Sequence, residues 1–310
     1  MNVYTQMDQL PRFENAVVTI GTFDGVHLGH KQILRQLQEK AQSVNGTPVV
    51  VTFYPHPKRV LASDKKPVFL LNTPEERNQL LHDAGIHHIV VVPFTEAFAA
   101  QSAREYIAAF LVNTLQVKHL IIGYDHKFGN NREGDYHLLD QVAGTYGFTV
   151  TEIPEKILQD VTISSTRIRE ALLSGDIQQA AAFLGYPYFF TGTVVEGNKL
   201  GRTIGFPTAN LKLPLAEKLI PANGVYAVTV VSERLNNVYR GMMNIGLRPT
   251  VGGSTRTIEV HLLDYAGDLY GADLTITLHR YLRAEVKFDG LDALKKQLAQ
   301  DQQNTLQSFS

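Results

Sequence analysis

His27 and His30 lie in the glycine-rich run GTFDGVHLGH, which follows an apolar run at residues 17–20 and opens a helical pattern at residues 28–41. A strand-to-helix turn of this kind directs backbone N–H groups and the positive end of the helix at a bound anion. Because the two histidines are three residues apart, a helical start puts both imidazoles on one face. The segment could therefore hold phosphate oxygens and stabilise the charge of a departing pyrophosphate.

Two other interpretations of this segment stay open. It could be a tight turn with solvent-facing histidines, and it matches neither of the commoner phosphate-loop motifs, G-x-x-x-x-G-K-[ST] and G-x-G-x-x-G. It could also bind zinc, which is disfavoured because a third neutral ligand at metal spacing is missing. With no cysteine in the chain, thiolate metal sites, disulfides and cysteine nucleophiles are excluded as well.

A hydroxyl-rich segment offers a second set of phosphate ligands. Ser164, Ser165 and Thr166 stand at the expected start of a helix, and Arg167 follows them directly. Hydroxyls and a guanidinium at a helix N-terminus suit phosphate oxygens. An ordinary serine N-cap followed by surface arginines would give the same pattern, so this segment alone does not decide between the two.

The C-terminal part of the chain contains a second candidate site. A glycine-rich, polar stretch connects two predicted strands between residues 192 and 210. Its backbone N–H groups could wrap triphosphate oxygens, and the Thr208 hydroxyl and Asn210 amide oxygen are hard ligands that suit Mg²⁺. An ordinary turn is the alternative interpretation.

Residues 257–262 alternate between apolar and polar side chains, which predicts a strand with one buried face. Glu259 and His261 share the polar face. A glutamate on a barrel strand is usually solvated, so the alternation alone assigns it no role.

The first 186 residues contain the elements that would position the histidine segment. Apolar runs at residues 17–20, 49–53, 89–92 and 120–122 alternate with helical patterns. Capping signals at Thr73 and Ser102 predict the starts of two of these helices. Strands that are apolar throughout and separated by helices indicate a parallel sheet covered on both faces, with ligands beyond the carboxyl ends of the strands.

After residue 186 the pattern changes to short strands punctuated by glycine, at residues 188–195, 224–231, 238–245, 257–263 and 274–281. This predicts an antiparallel barrel or sandwich, followed by a helix at residues 291–306. We therefore expect an N-terminal Rossmann-like parallel-sheet domain, residues 1–186, and a C-terminal antiparallel β-barrel domain with a final helix, residues 187–310.

Composition narrows the class of protein. The chain has 310 residues, with 29 Lys and Arg against 30 Asp and Glu, so a broad basic face for nucleic acid is not expected. No apolar run approaches the ~18 residues of a membrane span, and the N-terminus does not have the pattern of a signal peptide. We expect a cytoplasmic protein with neither a membrane nor a nucleic-acid partner.

The histidine segment and the run ISSTRIR together resemble the nucleotidyltransferase superfamily, whose members move a nucleotidyl group from ATP. TFYPHP at residues 52–57 and GYDHKFG at residues 123–129 narrow the resemblance to the FAD synthetase half of bacterial bifunctional riboflavin kinase/FAD synthetases. That family more often has an aromatic residue where His126 stands. The resemblance implies ATP-binding residues Gly21, Phe23, Asp24, Gly25, His27, His30, Asp125, Ser164, Ser165, Thr166 and Arg167, and flavin-binding residues Phe53, Pro55, His56 and Pro57.

His56 has a structural alternative, because the prolines on either side could simply fix a loop. In the implied reaction no covalent nucleophile is needed, and His27 and His30 act as electrostatic stabilisers.

The C-terminal motifs resemble riboflavin kinase. The glycine loop, PTAN at residues 207–210, NIGLRPT at residues 244–250 and the strand around Glu259 occur in the order of that family. The resemblance implies that Glu259 is the catalytic base and that Thr208 and Asn210 hold Mg²⁺. The ATP-binding residues implied for the kinase are Gly192, Gly197, Gly201, Arg202, Thr208 and Asn210.

The resemblance implies a bifunctional transferase. Riboflavin and ATP would give FMN and ADP, and FMN and ATP would then give FAD and pyrophosphate, with Mg²⁺ and no zinc. An adenylyltransferase that retains only one activity and a flavin-binding protein built on a decayed enzyme are the alternatives. The motifs of both sites argue against them. Arginines outside the motifs, such as Arg234 and Arg283, are expected to be solvated.

Overall fold

The chain is described from a computed structural model over residues 1–61, 68–153, 163–197, 200–250 and 253–309. It divides into two compact units, residues 1–165 and residues 166–310. The domain boundary near residue 186 falls later in the chain, beyond two helices of the second unit, and it stays a prediction.

The first unit is built on a six-stranded sheet. Its strands are β1 Asn2–Tyr4, β2 Val17–Ile20, β3 Pro48–Tyr54, β4 His88–Pro93, β5 His119–Gly123 and β6 Thr149–Ile153. The order across the sheet is β1-β4-β3-β2-β5-β6, and every neighbouring pair is parallel. The predicted parallel sheet is confirmed, and the structure adds the two edge strands β1 and β6.

Helices cover both faces of this sheet because alternate strand residues are buried on opposite sides. Val17, Val50 and Ile89 belong to one apolar cluster, whereas Val18 and Val49 belong to another. Among the residues that the structure describes, the helical segments of this unit are α1 Leu28–Ser43, α2 Pro57–Leu61, α3 Pro74–Asp83, α4 Glu96–Ala99, α5 Ala103–Glu105 with a π-helical continuation Tyr106–Thr114, α6 Tyr136–Tyr146 and the short 3₁₀ helices Met7–Gln9 and Asn130–Arg132.

The capping signals are confirmed at both predicted helix starts. The Thr73 hydroxyl accepts a hydrogen bond from the backbone N–H of Glu76 at 3.2 Å, and the Glu76 carboxylate accepts one from the Thr73 N–H at 2.9 Å. Ser102 and Glu105 form the same reciprocal pair at the start of α5. These bonds satisfy N–H groups that the first helical turn leaves without partners.

The second unit contains a closed antiparallel barrel, which excludes the sandwich. Its strands are β7 Phe189–Val195, β8 Ala209–Lys212, β9 Gly224–Val231, β10 Tyr239–Thr250, β11 Gly253–Leu262 and β12 Asp273–Arg283, in the closed order β10-β11-β8-β7-β12-β9. The helices are α7 Ser165–Ser174, α8 Ile177–Leu184, α9 Leu200–Thr203 and α10 Leu291–Gln307. The predicted C-terminal helix is α10, which packs on β9, β10 and β12.

Within the described ranges, no helix combines the length and the apolar character that a membrane crossing needs.

Candidate active sites

The glycine-rich segment of the first unit forms a turn between β2 and α1. Three of its residues have positive φ, with values of 48° at Phe23, 91° at Gly25 and 36° at Val26. A left-handed conformation is unfavourable for a β-branched residue such as Val26 and persists only where the surroundings enforce it. The turn therefore needs anchors from neighbouring segments.

His27 and His30 lie together at the start of α1, as their spacing predicts. The His27 side chain caps the helix, because its Nδ1 accepts a hydrogen bond from the His30 N–H at 3.3 Å. The two rings stack with centroids 3.6 Å apart. Burial, and to a smaller extent the neighbouring His27, holds the pKa of His30 well below its usual value of 6.5. His30 is therefore uncharged at neutral pH.

Asp24 anchors the turn through its own side chain. Its buried carboxylate accepts hydrogen bonds from the backbone N–H of Leu71 at 2.9 Å and of Asn72 at 3.3 Å. These contacts join the turn to the segment that leads into α3. The side chain that the resemblance assigned to ATP thus also shapes the backbone around the site.

Ser165 brings the hydroxyl-rich segment to the same turn. Its Oγ donates a hydrogen bond to the backbone carbonyl of Asp24 at 2.9 Å. Two motifs 141 residues apart in the sequence therefore meet in the first unit. Thr166 and Arg167, at the start of α7, are exposed, as is Ser164 before them.

The segment assigned to the flavin lies at the carboxyl end of β3. The Phe53 ring packs on Phe94, with centroids 5.5 Å apart, and the Tyr54–Pro55 peptide bond is cis. Pro55 and Pro57 are partly buried. His56 is buried, and its Nδ1 accepts a hydrogen bond from the Lys58 N–H at 3.1 Å. His56 therefore accepts a backbone hydrogen bond in the first turn of α2.

The segment after β5 places Asp125 in solvent. The neighbouring His126 ring stacks on Phe128, with centroids 5.8 Å apart. Burial lowers the pKa of His126 to about 4, although the nearby Asp125 opposes the shift. The imidazole thus packs as an uncharged ring at the position where the resemblance leads one to expect an aromatic residue.

Arg77 is a residue of this region that the motifs do not include. It is buried on α3, and its Nη1 donates to the backbone carbonyls of Thr22 at 3.3 Å and of Phe53 at 3.1 Å. One guanidinium therefore joins the phosphate turn to the segment assigned to the flavin. Helical spacing is the sequence signal that could have located Arg77, since it lies four residues before the buried Leu81 on the same face of α3.

In the second unit, a cavity of about 380 Å³ lies at the barrel. One part of its wall is polar and includes Thr208, Asn210, Asn244, Glu259 and His261. The rest is largely apolar, with contributions from Val225, Met242, Met243, Val286, Phe288 and Leu294. A cavity of this size and mixed lining suits a small organic ligand whose polar end must be oriented.

The polar wall follows from the barrel register. Glu259 on β11 pairs with Asn210 on β8 and with Asn244 on β10, and paired residues of antiparallel strands point to the same face. The Thr208 hydroxyl donates a hydrogen bond to Glu259 Oε2 at 3.2 Å. The structure thus brings together the three residues that the resemblance assigned to proton transfer and metal binding, Thr208, Asn210 and Glu259.

The three glycines assigned to the ATP loop have little room for a side chain, and Gly192 lies within strand β7 and not in the loop. A Cβ at Gly197 would meet the Asn210 side chain, and one at Gly201 would meet the backbone carbonyl of Phe206. At Gly192 a Cβ would lie 3.2 Å from the Cβ of Leu211. Close packing therefore explains glycine at each position. Arg202 is exposed, with its guanidinium carbon 5.7 Å from the centre of the Tyr270 ring.

The expectation that Arg283 is solvated is wrong. Its guanidinium forms an ion pair with Asp301 of α10, with Nη2–Oδ2 at 2.6 Å and Nε–Oδ1 at 2.9 Å. Asp301 is fully buried and lines the cavity, as Arg283 does. Arg234 is exposed, and its Nη1 donates to the Tyr270 carbonyl at 2.9 Å.

Among the residues that the structure describes, no group of three or more His, Cys, Asp and Glu could hold a metal ion. Thr208 and Asn210 supply oxygen atoms of other residue types beside the Glu259 carboxylate. A set of hydroxyl, amide and carboxylate oxygens fits Mg²⁺, which completes its coordination with phosphate and water oxygens.

Two family models match the chain, FAD synthetase over residues 10–167 and riboflavin kinase over residues 184–309. The chain is 42% identical over 303 residues to the bifunctional riboflavin kinase/FMN adenylyltransferase of Escherichia coli (strain K12), with 98% of this chain and 95% of that protein covered. It is 38% identical to the protein of the same name from Bacillus subtilis (strain 168), with 95% and 93% covered.

Solved structures also resemble this chain, among them one that matches over 98% of its length. The crystal structure of a protein from Streptococcus pneumoniae, named a macrolide-efflux protein, has a TM-score of 0.86 to this chain. The two are 32% identical in sequence, and 98% of each chain is covered.

Proposed function

This chain belongs to the family of bifunctional riboflavin kinases/FMN adenylyltransferases, and from that premise we propose how its residues divide the two reactions. The enzyme phosphorylates riboflavin to FMN and transfers an adenylyl group to FMN, giving FAD. The second unit contains the riboflavin kinase match and the first unit most of the FAD synthetase match. We assign the domain boundary to residue 186, which lies two residues inside the start of the riboflavin kinase match.

For adenylyl transfer, ATP binds at the turn between Gly21 and His30. A phosphate oxygen of FMN attacks the α-phosphorus of ATP, and the bond to the pyrophosphate breaks. Backbone N–H groups of the turn and the rings of His27 and His30 stabilise the charge on the departing pyrophosphate. The observation that supports this role is the stacked pair at the start of α1.

Neighbouring segments complete the adenylyltransferase site. The hydroxyl-rich run, Ser164 to Arg167, binds ATP phosphates, and Asp125 contacts the nucleotide. Phe53, Pro55, His56 and Pro57 line the flavin side. The hydrogen bond from Ser165 to the Asp24 carbonyl supports this assignment, because it joins the hydroxyl-rich run to the phosphate turn.

For phosphorylation, Glu259 accepts the proton of the riboflavin 5′-hydroxyl as that oxygen attacks the γ-phosphorus of ATP and ADP leaves. Gly192 on β7, Gly197 after that strand, and Gly201 and Arg202 on α9 contact the ATP phosphates. Thr208 and Asn210 would hold Mg²⁺, which supplies positive charge to the transferring phosphoryl group. The single observation that carries this proposal is the 3.2 Å hydrogen bond between Thr208 and Glu259 at the wall of the cavity.

The remaining assignments concern the cellular location of the enzyme and the molecules that it binds. ATP, riboflavin and FMN are the partners, and no macromolecule is required for either reaction. The balance of 29 basic and 30 acidic residues favours small-molecule substrates over nucleic acid. We place the enzyme in the cytoplasm, where ATP is made and consumed.

The test incubates the full chain with riboflavin, ATP and Mg²⁺ and separates riboflavin, FMN and FAD by chromatography. Glu259→Gln should stop FMN formation while FAD formation from supplied FMN continues. Glu233→Gln, at an exposed loop of the same unit, is the matched control and should leave both reactions unchanged. Equal loss of both activities in folded Glu259→Gln would contradict the role of Glu259.

The adenylyltransferase assignment has its own pair of variants. His30→Asn should lower FAD formation from FMN by about 100-fold, the usual cost of losing one transition-state donor, while FMN formation continues. His137→Asn changes an exposed histidine on α6 and should have no effect. Normal FAD formation by His30→Asn would rule out the proposed stabilising role.

A further inference from the structure

His261 is a buried histidine of the kinase cavity to which the proposed mechanism gives no role. It lies on β11, two residues beyond Glu259, so the two side chains lie on the same face of the strand. It is 8% exposed and lines the cavity. Its ring also packs edge-on against Phe206, with centroids 5.4 Å apart.

The polar contact of His261 fixes where its proton is. Nδ1 lies 2.7 Å from the backbone carbonyl oxygen of Pro207. A carbonyl oxygen only accepts hydrogen bonds, so Nδ1 must carry the hydrogen. In the neutral ring the other nitrogen, Nε2, is then unprotonated.

The carbonyl that His261 holds belongs to the residue before Thr208. The barrel ladder begins only beyond it, since Ala209 is the first residue of β8 and pairs with Val260. The same turn is tied at its other end by a hydrogen bond from the Phe206 N–H to the Gly201 carbonyl at 2.8 Å. The position of Thr208 therefore depends on two hydrogen bonds to one strand face. His261 Nδ1–H donates to the carbonyl of Pro207, and the Thr208 hydroxyl donates to Glu259.

We propose that His261 is a positioning residue for phosphoryl transfer: its Nδ1–H holds the Pro207 carbonyl so that the Thr208 hydroxyl and the Glu259 carboxylate stay at their mutual distance. This inference rests on the proposed roles of Thr208 and Glu259 in the kinase reaction. An error of about 1 Å in such a placement is enough to slow a reaction strongly. His261 thus acts through the turn and takes no part in proton transfer.

Two substitutions separate this role from simple packing. In His261→Asn the side-chain amide nitrogen takes the place of Nδ1 and retains the donor, whereas in His261→Gln it takes the place of Nε2 and the Pro207 carbonyl loses its partner. The Asn variant should retain kcat for FMN formation within about threefold, and the Gln variant should lose about tenfold. The KM for riboflavin should change less than kcat in the Gln variant.

A readout that does not involve turnover accompanies the kinetics. Calorimetric titration with ADP and Mg²⁺ should give wild-type affinity for His261→Asn and about tenfold weaker affinity for His261→Gln. FAD formation from supplied FMN, at the other unit, should be normal in both. His279→Gln is the matched control, because His279 is a partly buried barrel histidine bonded to Thr229 at 2.9 Å and absent from the cavity wall.

Several results would overturn the inference. One is equal activity of the Asn and Gln variants, whether both are normal or both are impaired, because the donor position would then not matter. Another is a nitrogen NMR spectrum of the full chain in which Nδ1 of His261 carries no proton, and this measurement decides the question even where the Gln variant does not fold. If Glu259→Gln, assayed in parallel, still phosphorylates riboflavin, the proposed kinase mechanism fails, and that outcome is distinct from a failure of His261 alone.

Discussion

Changing Asp301 to asparagine should lower the stability of the second unit by about 2–3 kcal/mol, because it leaves Arg283 as a largely buried cation without a counterion. The carboxylate of Asp301 is fully buried and accepts three hydrogen bonds from Arg283, at 2.6, 2.9 and 3.1 Å, and one from Gln297 at 2.9 Å. The asparagine amide keeps the size of the side chain but presents one N–H₂ group to these donors. Charge and hydrogen bonding are thus lost with little change in packing.

The magnitude follows from burial. Removing one partner of a fully buried ion pair costs about 3–5 kcal/mol. The Arg283 side chain is 20% exposed, so water screens part of the unpaired charge. The expected loss is therefore about 2–3 kcal/mol, at or below the low end of that range. For a unit of this size, that loss corresponds to a melting temperature lower by about 5–10 °C.

The assay is scanning calorimetry of the full chain, with each transition assigned by the kinase and adenylyltransferase activities that survive brief heating. Only the transition that coincides with the loss of kinase activity should shift to a lower temperature. Asp292→Asn, at the exposed first turn of the same helix, is the control and should cost less than about 1 kcal/mol.

A double variant tests the physical reason. Arg283→Met combined with Asp301→Leu removes both charges and should recover at least half of the lost stability, because apolar replacements of buried ion pairs are often neutral or stabilising. If the double variant is no more stable than Asp301→Asn, the unpaired charge is not the cause of the loss and the reasoning is refuted.

Three further predictions concern the sites. Arg77→Met removes the donor to two backbone carbonyls, so FAD formation should fall about tenfold while FMN formation is unchanged. The two reactions are assayed separately, and an equal loss of both activities would contradict this prediction. His126 has a pKa of about 4 in the folded chain, below its usual 6.5. Between these two pH values the native state therefore binds fewer protons than the unfolded state. The contribution of His126 to stability is present above pH 6.5 and is lost as the pH falls toward 4. Denaturant unfolding across this range should show a flatter pH dependence for His126→Phe, and an unchanged dependence would refute the assignment. Gly197→Ala forces the Asn210 side chain aside and should lower kcat for FMN formation about fivefold, a cost of about 1 kcal/mol. The control is Gly144→Ala, whose added methyl group meets nothing within 4 Å. Wild-type kinetics for Gly197→Ala would show that Asn210 is not needed in its present place.

The sequence could predict the features that depend on local spacing. The run Val17–Ile20 is apolar except at Thr19, and all four residues are buried because both faces of the sheet are covered, which identifies a central parallel strand. The reciprocal bonds at Thr73 and Ser102 involve residues three apart and are readable from the sequence. The stacking of His27 on His30 likewise follows from their position on one helical turn.

The features that sequence could not predict depend on partners far away in the chain. Arg77 bonds to carbonyls 55 and 24 residues away, and Arg283 pairs with an aspartate 18 residues away. An isolated arginine is usually exposed, so its burial can be inferred only when its partner is known. The edge strand β6 is partly exposed, and its residues Thr149, Thr151 and Glu152 are polar, which weakens the pattern by which strands are recognised. A barrel and a sandwich share the same alternation, and only the pairing of β9 with both β10 and β12 distinguishes them.

The closure of the barrel also bears on how each unit would behave if it were made separately. An open sheet ends in strands with unpaired N–H and C=O groups, which are templates for pairing with another chain. The sheet of the first unit ends in β1 and β6, of which β1 is only three residues long. Every barrel strand of the second unit already has two neighbours. A fragment of the second unit should therefore resist edge-to-edge aggregation, whereas a first-unit fragment that lacks residues 1–5 would expose β4 as a new edge of six residues rich in valine.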